Sequence, residues 1–420
     1  MFASLKVRNY RLFFAGSLVS NVGTWMQRVA QDWLVLALTG SAGALGITTG
    51  LQFLPILLLS PFAGVLADRY PKRRILVFTQ AAMGLTAAVL GVLAITGVVQ
   101  TWHVFVLAFV FGAGTAFDVP PRQAFVNEMV DRDLLNNAVG LNAASLNASR
   151  MIGPALAGLL IAWMGSGVAA TGWVIMINAA SYAAVIVSLS WMSANELSPT
   201  ALLARAPGQL RDGIRYVRAR PDIMLVMAVV FCAGTFGLNF QMTNALMATE
   251  VYGKGAGEYG VLGSIIAIGS LSGSLLAARR VRPRQRLLIV AAIAFGLSEV
   301  VAGLMPSYLT FAVMLPICGF TALTLITAAS SYVQMATDAV VRGRVMALYL
   351  TIFMGGTPIG APLLGWVAET FGARWTLIGG GGLTAIGTIV AAVVLAPRQG
   401  VSISMLRRPS TFRVALPAHD

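Results

Sequence analysis

The stretch Ile75–Val99, ILVFTQAAMGLTAAVLGVLAITGVV, carries no charged side chain over its whole length. A helix rises ~1.5 Å per residue, so about twenty residues cross the ~30 Å hydrocarbon core of a bilayer. Further charge-free stretches of sufficient length occur at Ile223–Thr249, Tyr308–Thr337 and Trp375–Ala396. Only 10% of the 420 residues are charged and 57% are hydrophobic, whereas about a quarter of a soluble domain is charged. The sequence therefore predicts an all-α integral membrane protein.

The basic residues indicate how the chain is oriented in the membrane. Of 29 Lys and Arg, 25 lie in alternate connections and the two termini, and only Lys254 and Arg374 lie in the opposite loops. This asymmetry is the positive-inside pattern, so it predicts an even number of spans and two cytoplasmic termini in a bacterial inner membrane. The net charge of +14 is thereby explained by topology, and we expect no nucleic-acid partner.

Loop charges and turn residues predict twelve transmembrane helices in two six-helix halves. The spans are expected near residues 13–38, 44–67, 75–99, 102–121, 138–164, 171–192, 223–249, 259–278, 287–305, 308–333, 345–368 and 375–396. We expect a first bundle over 1–192, a cytoplasmic linker over 193–222, a second bundle over 223–396 and a cytoplasmic tail over 397–420. Within the linker, the helical spacing of Leu210, Ile214 and Val217 predicts a short amphipathic helix on the anionic inner surface.

The two halves resemble one another in places. Gly153 and Gly158 recur 207 positions later as Gly360 and Gly365, in the strings IGPALAG and IGAPLLG. Duplication of a helical bundle is a common way to build a transporter, so these matches favour a six-plus-six arrangement.

The first predicted span has a polar face. Ser17, Asn21, Trp25, Arg28 and Asp32 follow one another at spacings of three or four residues, which places them on one side of a helix. A charged side chain at the helix centre costs ~2.5–3.5 kcal/mol in lipid, so this face must contact water or protein. Arg28 and Asp32 either neutralise each other as a structural ion pair, or Asp32 exchanges protons while Arg28 adjusts its proton affinity or contacts an anionic group on cargo.

Polar residues also occur in the fifth and seventh spans. Arg150 accompanies Asn142 at helix-compatible spacing, which fits either a cavity wall or a buried structural pairing. In the seventh span, Thr235, Asn239 and Thr243 share a face. Such uncharged stripes serve helix packing or substrate contact.

The sequence contains few other residues that could exchange protons or bind a metal. Glu299 is alone in the ninth span and is a candidate for a second proton site. His103 and His419 are the only histidines, and Cys232 and Cys318 both lie in apolar stretches. We therefore expect no metal site and no cofactor.

The connection between the second and third spans reads GVLADRYPKR over Gly64–Arg73. At this position it resembles the major facilitator superfamily signature G-x-L-x-D-R-x-G-R-R/K, with Pro71 in place of a glycine. The matching residues are Gly64, Leu66, Asp68, Arg69, Lys72 and Arg73. The resemblance implies that this motif latches the two halves on the inner side, against the eleventh span near Arg344, and that Asp118 and Arg122 accompany Lys72 and Arg73.

Two further motifs refine the resemblance. The string GPALAG, with Gly153, Pro154 and Gly158, looks like the fifth-helix motif G-P-x-x-G-G of exporters in this superfamily. The same residues also describe a small-residue packing face with a proline kink. The strings GTWMQR at 23–28, DWL at 32–34 and RGRVMALY at 342–349 resemble the enterobactin-exporter-like branch.

This resemblance implies a transporter and not an enzyme. Members of the branch are proton-linked exporters of siderophores, macrolides and other amphiphiles, so we expect alternating access, a small-molecule substrate, protons as the coupling ion and a monomer in the bilayer. No GxxxxGK[ST] loop occurs in the sequence, which excludes ATP hydrolysis at such a loop. Two alternatives remain open: an importer or uniporter of a small metabolite, and a membrane sensor or scaffold that does not transport.

Overall fold

The computed structural model describes residues 2–198, 209–278, 285–338 and 341–395. These ranges are helical, with no strand among them. The α-helices are α1 Arg8–Thr39, α2 Ala42–Arg69, α3 Lys72–Ile95, α4 Thr101–Met129, α5 Arg132–Trp163, α6 Val168–Ser190, α7 Gln209–Arg218, α8 Pro221–Cys232, α9 Phe240–Leu246, α10 Ala256–Ala278, α11 Gln285–Gly303, α12 Tyr308–Ala336, α13 Arg342–Gly355, α14 Thr357–Phe371 and α15 Arg374–Leu395. Short 3₁₀ turns cover Ala3–Lys6 and Ala194–Glu196, and π-helical turns cover Ala233–Gly237 and Met247–Val251.

Ten helical segments of the described chain are long and apolar enough to cross a membrane. They do not include α1 and α5, the two helices that carry Arg28, Asp32 and Arg150. Both are 32 residues long, and α1 packs against α5 and α6 while α5 packs against α10. Charged side chains lower the mean hydropathy of these helices, but neighbouring helices shield the charges from lipid. The arrangement is consistent with the twelve predicted spans, whose number stays a prediction.

The outer surface of the helices is apolar. Phe78 is 76% exposed, Leu309 is 71% exposed and Val313 is 66% exposed. Exposed tryptophans lie near helix ends, among them Trp163 and Trp191. An apolar surface with aromatic residues towards its edges is typical of a protein surrounded by lipid.

The fourth and eleventh predicted spans differ from the structure. The fourth span was expected to end at residue 121, but α4 continues through Pro120 and Pro121 to Met129. The eleventh span was expected as one helix over 345–368, but it is interrupted between α13 and α14 at Gly356. Proline does not end α4 because a helix can bend around the missing backbone hydrogen bond.

The first six helices contact one another extensively, as do α8 and α10–α15. Between these two groups, α2 packs against α14 and α5 packs against α10. The side of the molecule where α1 begins and α2 ends is called the terminal side here, and the opposite side is called the far side.

Glycines bring the two groups of helices together on the far side. A Cβ atom on Gly46 of α2 would overlap the carbonyl oxygen of Ala361 in α14, and one on Gly260 of α10 would overlap that of Pro154 in α5. On the terminal side, a Cβ on Gly140 or Gly343 would meet nothing within 4 Å. The two groups are therefore in closer contact on the far side.

A carboxylate links the two groups on the far side. Glu369, near the end of α14, accepts hydrogen bonds from the Ser41 hydroxyl and from the Gly43 backbone N–H at 3.0 Å. These groups form the first turn of α2, where the helix dipole favours a negative charge. Glu369 therefore stabilises the closed far side through a helix N-terminus that belongs to the other half.

We expect Glu369→Gln to open the far side more often. Loss of charge at a helix N-terminus removes ~0.3–1 kcal/mol for an exposed group, which corresponds to a roughly two- to fivefold shift in the conformational equilibrium. The measurement is the rate of maleimide labelling of Ala42→Cys, at a position 2% exposed, in a Cys232→Ala, Cys318→Ala background. The control is Glu196→Gln, an exposed glutamate on the terminal side, which should leave the labelling rate unchanged; equal rates in both variants would contradict a latch at Glu369.

The predicted linker contains its helix, α7, at Gln209–Arg218. Val217 is buried, and the Tyr216 hydroxyl lies 3.1 Å from a carboxylate oxygen of Asp338. The helix packs against α13, where a Cβ on Gly213 would lie 3.3 Å from the Cβ of Arg344. Part of its apolar face therefore contacts the second half. Residues 199–208, the tail after 395 and the side chain of Leu210 lie outside the described part of the structure.

Candidate functional site

A cavity of about 210 Å³ lies between the two groups of helices. Drug-sized ligands occupy roughly 300–1,000 Å³, so a bulky ligand requires the helices around it to separate. Its polar lining residues are Trp25, Arg28, Thr49, Arg150, Asn239, Gln241, Asn244, Tyr259, Ser270 and Thr357, and its apolar wall includes Val29, Phe53, Phe240, Ile266, Leu323, Ile326 and Phe353.

Two arginines share one indole ring in this cavity. The guanidinium carbon of Arg28 lies 4.8 Å from the ring centroid of Trp25, and that of Arg150 lies 5.5 Å from it. Because both distances are measured to the same ring centroid, the two guanidinium carbons are at most about 10 Å apart. Two like charges at that distance repel by at least ~1.7 kcal/mol at an effective dielectric constant of about 20. The cation–π contacts offset part of this cost.

The Arg28 side chain keeps an unused donor. Its guanidinium also lies 5.5 Å from the ring of Phe53, and its Nε is buried without a hydrogen-bond partner among the described residues. A buried donor that is not paired costs ~1–3 kcal/mol, so the site is arranged for a partner that these side chains do not provide.

Asp32 joins the two halves. It is 4% exposed, and its Oδ2 accepts hydrogen bonds from Gln241 Nε2 and from the Tyr259 hydroxyl, each at 2.7 Å. Gln241 belongs to α9 and Tyr259 to α10, whereas Asp32 belongs to α1. The direct partners of the Asp32 carboxylate are thus neutral donors from the second half. In the described chain Arg28 and Asp32 are not in direct contact as an ion pair, but their charges attract each other, so both interpretations of this pair stay predictions.

The seventh span is not a continuous helix. After α8 and the π-helical turn Ala233–Gly237, the chain leaves helical geometry at Leu238 and Asn239 before α9 begins. The Asn239 side chain donates to the Thr235 carbonyl oxygen at 2.9 Å and so caps the broken end. Asn239 and Asn244 both line the cavity, and in the part of the chain that the structure describes the Oδ1 of each is buried without a hydrogen-bond partner.

The other predicted site residues lie around the cavity rather than in its wall. Thr235 and Thr243 are buried, and Thr243 Oγ1 lies 3.3 Å from the Asn239 carbonyl oxygen. Asn21 and Asn142 are half-buried and do not line the cavity. Glu299 is 1% exposed and lies behind the break, where a Cβ on Gly237 would be 2.8 Å from its Oε2.

The predicted exporter motif of the fifth helix lies at two interfaces. A Cβ on Gly153 would lie 2.6 Å from the Trp25 Cβ, and a Cβ on Gly158 would lie 2.5 Å from the Ala256 carbonyl oxygen. Pro154 contributes to the cavity wall. These small residues therefore let α5 approach α1 and α10 closely, which sets the position of Arg150 beside Trp25.

On the terminal side, Asp118 is the centre of a buried polar cluster. Its carboxylate accepts from Thr79 and Gln80 at 2.8 Å each and pairs with Arg122 at 2.7 Å. Arg122 also lies 3.2 Å from the Ser17 hydroxyl. The cluster therefore connects α1, α3 and α4.

The expected contact of this cluster with Lys72 and Arg73 is not present. Lys72 pairs with Glu128, and Arg73 donates to the Ser190 carbonyl oxygen at 3.1 Å. The rest of the predicted gate motif is placed at the end of α2, with Gly64 half-buried and Arg69 exposed. The side chain of Asp68 lies outside the described part of the structure, so its capping of another helix stays a prediction.

We expect Asp118→Ala to destabilise the folded protein by ~3–5 kcal/mol, because it leaves the Arg122 charge buried without its carboxylate. Thr79→Val should cost only ~1 kcal/mol, since it removes one hydrogen bond. The measurement is thermal unfolding of the purified protein in detergent, followed by intrinsic fluorescence. The double variant Asp118→Ala, Arg122→Met should recover part of the loss; no recovery would show that the charge is not the cause.

Comparison with known proteins gives the family. The family model described as transmembrane secretion effector matches residues 1–409. The chain belongs to this family of the major facilitator superfamily. The predicted family and the all-α membrane fold are thereby confirmed.

Its relatives and structural neighbours are transporters. The chain is 26% identical to the multidrug efflux pump Tap of Mycolicibacterium fortuitum, over 87% of this chain and 91% of that protein. It is 26% identical to macrolide efflux protein A of Streptococcus pyogenes, over 89% and 94%. It is 34% identical to the staphyloferrin A transporter of Staphylococcus aureus, but over only 36% of this chain and 38% of that protein. The fold is similar to that of a D-xylose–proton symporter, with a TM-score of 0.71 and 13% identity over 90% of this chain and 97% of that chain.

Sequence reasoning did not identify Gln241, Tyr259, Phe53 and Glu369. Gln241 is a polar residue within a charge-free stretch, and a single uncharged polar residue is a weak indication of function. Tyr259 lies at the start of a span, where tyrosine is common at membrane interfaces. Neither residue can be connected with Asp32 from sequence spacing, because the pairs are 209 and 227 residues apart.

Proposed function

We propose that this protein is a secondary active exporter of a small amphiphilic molecule, coupled to protons, that works by alternating access in the bacterial inner membrane. The observation that carries the proposal is Asp32, a buried carboxylate beside the cavity whose hydrogen-bond donors both come from the opposite half. The efflux activity in the names of the two relatives aligned over most of the chain supports the direction of transport.

The coupling follows from the charge of Asp32. Hydrogen bonds to an ionised carboxylate are about twice as strong as those between neutral groups. While the far side is open, Asp32 is separated from Gln241 and Tyr259 and takes up a proton from outside. When the far side closes, these two donors favour the ionised carboxylate, so Asp32 releases its proton to the cytoplasm. With both termini in the cytoplasm, the far side faces outward, and the closed far side corresponds to a cavity that faces inward. The protein acts as a monomer in this scheme.

Residues in and around the cavity have further roles in the transport cycle. The break at Leu238 and Asn239 leaves a short, adaptable segment between α8 and α9, on the half that moves relative to α1. Trp25, Arg28, Arg150 and Asn239 contact cargo, and Glu299, behind the break, is a second proton site. On the terminal side, Asp68 and its motif close the opposite end in the outward-facing state.

The test is efflux from proteoliposomes loaded with fluorescent dyes, macrolides or siderophores, with and without an imposed pH gradient. The proposal requires that at least one cargo leaves faster when the compartment receiving it is acidic. Uptake without efflux would favour an importer, and absence of any cargo movement with retained partner binding would favour a sensor.

A further inference from the structure

The charges that line the central cavity are unbalanced. Arg28 and Arg150 both contribute to its wall, whereas no carboxylate does so among the described lining residues. Asp32 attracts the Arg28 guanidinium, but it does not line the cavity, and its Oδ2 accepts hydrogen bonds from Gln241 and Tyr259. A ligand inside the cavity therefore meets two guanidinium groups directly, while the Asp32 carboxylate is hydrogen-bonded to other protein groups.

The two guanidinium groups are held in place by the indole of Trp25, which lies within 5.5 Å of both. An aromatic ring attracts a cation but leaves the guanidinium N–H groups free to donate. The buried Arg28 Nε has no acceptor in the described structure. Planar guanidinium groups match the geometry of carboxylates and phosphates, so the missing partner is an anionic group.

The remainder of the wall fits the rest of such a ligand. The aromatic rings of Phe53, Phe240 and Phe353 face the same space. Asn239 and Asn244 line the same space, and their amide groups form hydrogen bonds with hydroxyl or N–H groups. Anion, apolar body and hydrogen-bond donors are thus recognised by three different parts of one cavity.

We propose that the cavity selects amphiphiles that carry a negatively charged group, which binds between Arg28 and Arg150 beside Trp25. This assignment names the substrate class and rests on the proposed export function. A cationic amphiphile of the same size binds less tightly, because the two guanidinium groups repel a cation and attract an anion. Export of an anion also moves negative charge outward, in the direction that an inside-negative membrane potential favours.

The test uses three probes that share one fluorophore and differ in charge. Dansylglycine carries a carboxylate, dansylglycinamide is its neutral amide, and N-(2-aminoethyl)dansylamide is a cation. Binding to the full-length protein in detergent is followed by energy transfer from tryptophan to dansyl at constant ionic strength. Dansylglycine should bind at least about tenfold more tightly than either other probe, a factor that corresponds to ~1.4 kcal/mol.

Variants assign the preference to the two arginines. Arg28→Met and Arg150→Met should each lower dansylglycine affinity about tenfold and leave binding of the amide within twofold. Arg11→Met is the matched control, since it removes an exposed arginine from the same helix as Arg28, and it should behave as the unmodified protein. The proposal is overturned if the amide or cation binds as tightly as the anion, if the preference survives in both variants, or if none of the probes binds saturably.

Binding and transport give separate answers. If dansylglycine binds with the expected selectivity but is not exported from proteoliposomes under any pH gradient, the export function fails and the anion site stands. If neutral or cationic cargo is exported and the binding preference is absent, the anion site fails and the export function stands.

Discussion

Asp32→Asn is expected to reduce proton-driven efflux to the rate measured without a pH gradient. Asparagine has nearly the same shape and keeps an oxygen that accepts from Gln241 and Tyr259, so the two halves still contact each other at this position. It cannot gain or lose a proton, and its hydrogen bonds are those of a neutral acceptor at every pH. The measurement is efflux from proteoliposomes across a series of imposed gradients, with the slope against the gradient as the readout.

Two controls separate coupling from folding. Asp133→Asn replaces an exposed aspartate at the start of α5 and should leave the slope unchanged. Ligand binding to the Asp32→Asn variant in detergent should remain, because the lining residues are intact. A slope within twofold of the unmodified protein would show that protons are carried elsewhere, and Glu299→Gln would then be the next variant to measure.

The structure explains why the sequence predicted some of the site and not the rest. The spacing of Trp25 and Arg28 predicts that both share one helical face, because helical periodicity fixes this, and both line the cavity. The partners of Asp32 could not be predicted, since they depend on how the second half is placed beside the first. The same limit applies to Glu369, whose role depends on the start of a distant helix.

Local irregularities were also missed. The stretch over residues 223–249 carries no charge and predicts one continuous helix, yet it contains a break and two π-helical turns, the second ending at Val251. Glycines at 234 and 237 weaken the helix, but glycine is frequent in membrane helices and does not by itself predict a break. In the structure α14 and α15 pack against the turn Ala233–Gly237, and the sequence does not reveal these tertiary contacts.

Gly360→Val is expected to prevent stable assembly of the second half. A Cβ at this position would overlap the carbonyl oxygen of Thr235 in the π-helical turn, and backbone in a packed helix cannot move aside as a flexible side chain can. Gly356 and Gly380 contact the same turn through its Thr235 and Phe236 backbone. Three glycines therefore allow α14 and α15 to hold the broken helix in place.

The matched control is Gly379→Val, on α15, where an added Cβ meets nothing within 4 Å. Size-exclusion profiles should show a folded, monodisperse protein for Gly379→Val and aggregate for Gly360→Val. Gly360→Ala adds the same Cβ, so it should lower stability by at least the ~1–3 kcal/mol usual for overpacking, but less than Gly360→Val, which adds two further methyl groups. Asn239 follows the turn Ala233–Gly237 and lines the cavity. If Gly360→Ala displaces this turn, ligand affinity should fall. In Gly379→Ala the turn is untouched, so ligand affinity should not change. Unchanged stability and affinity in Gly360→Ala would mean that the turn is free to move and that the glycine contacts do not position it.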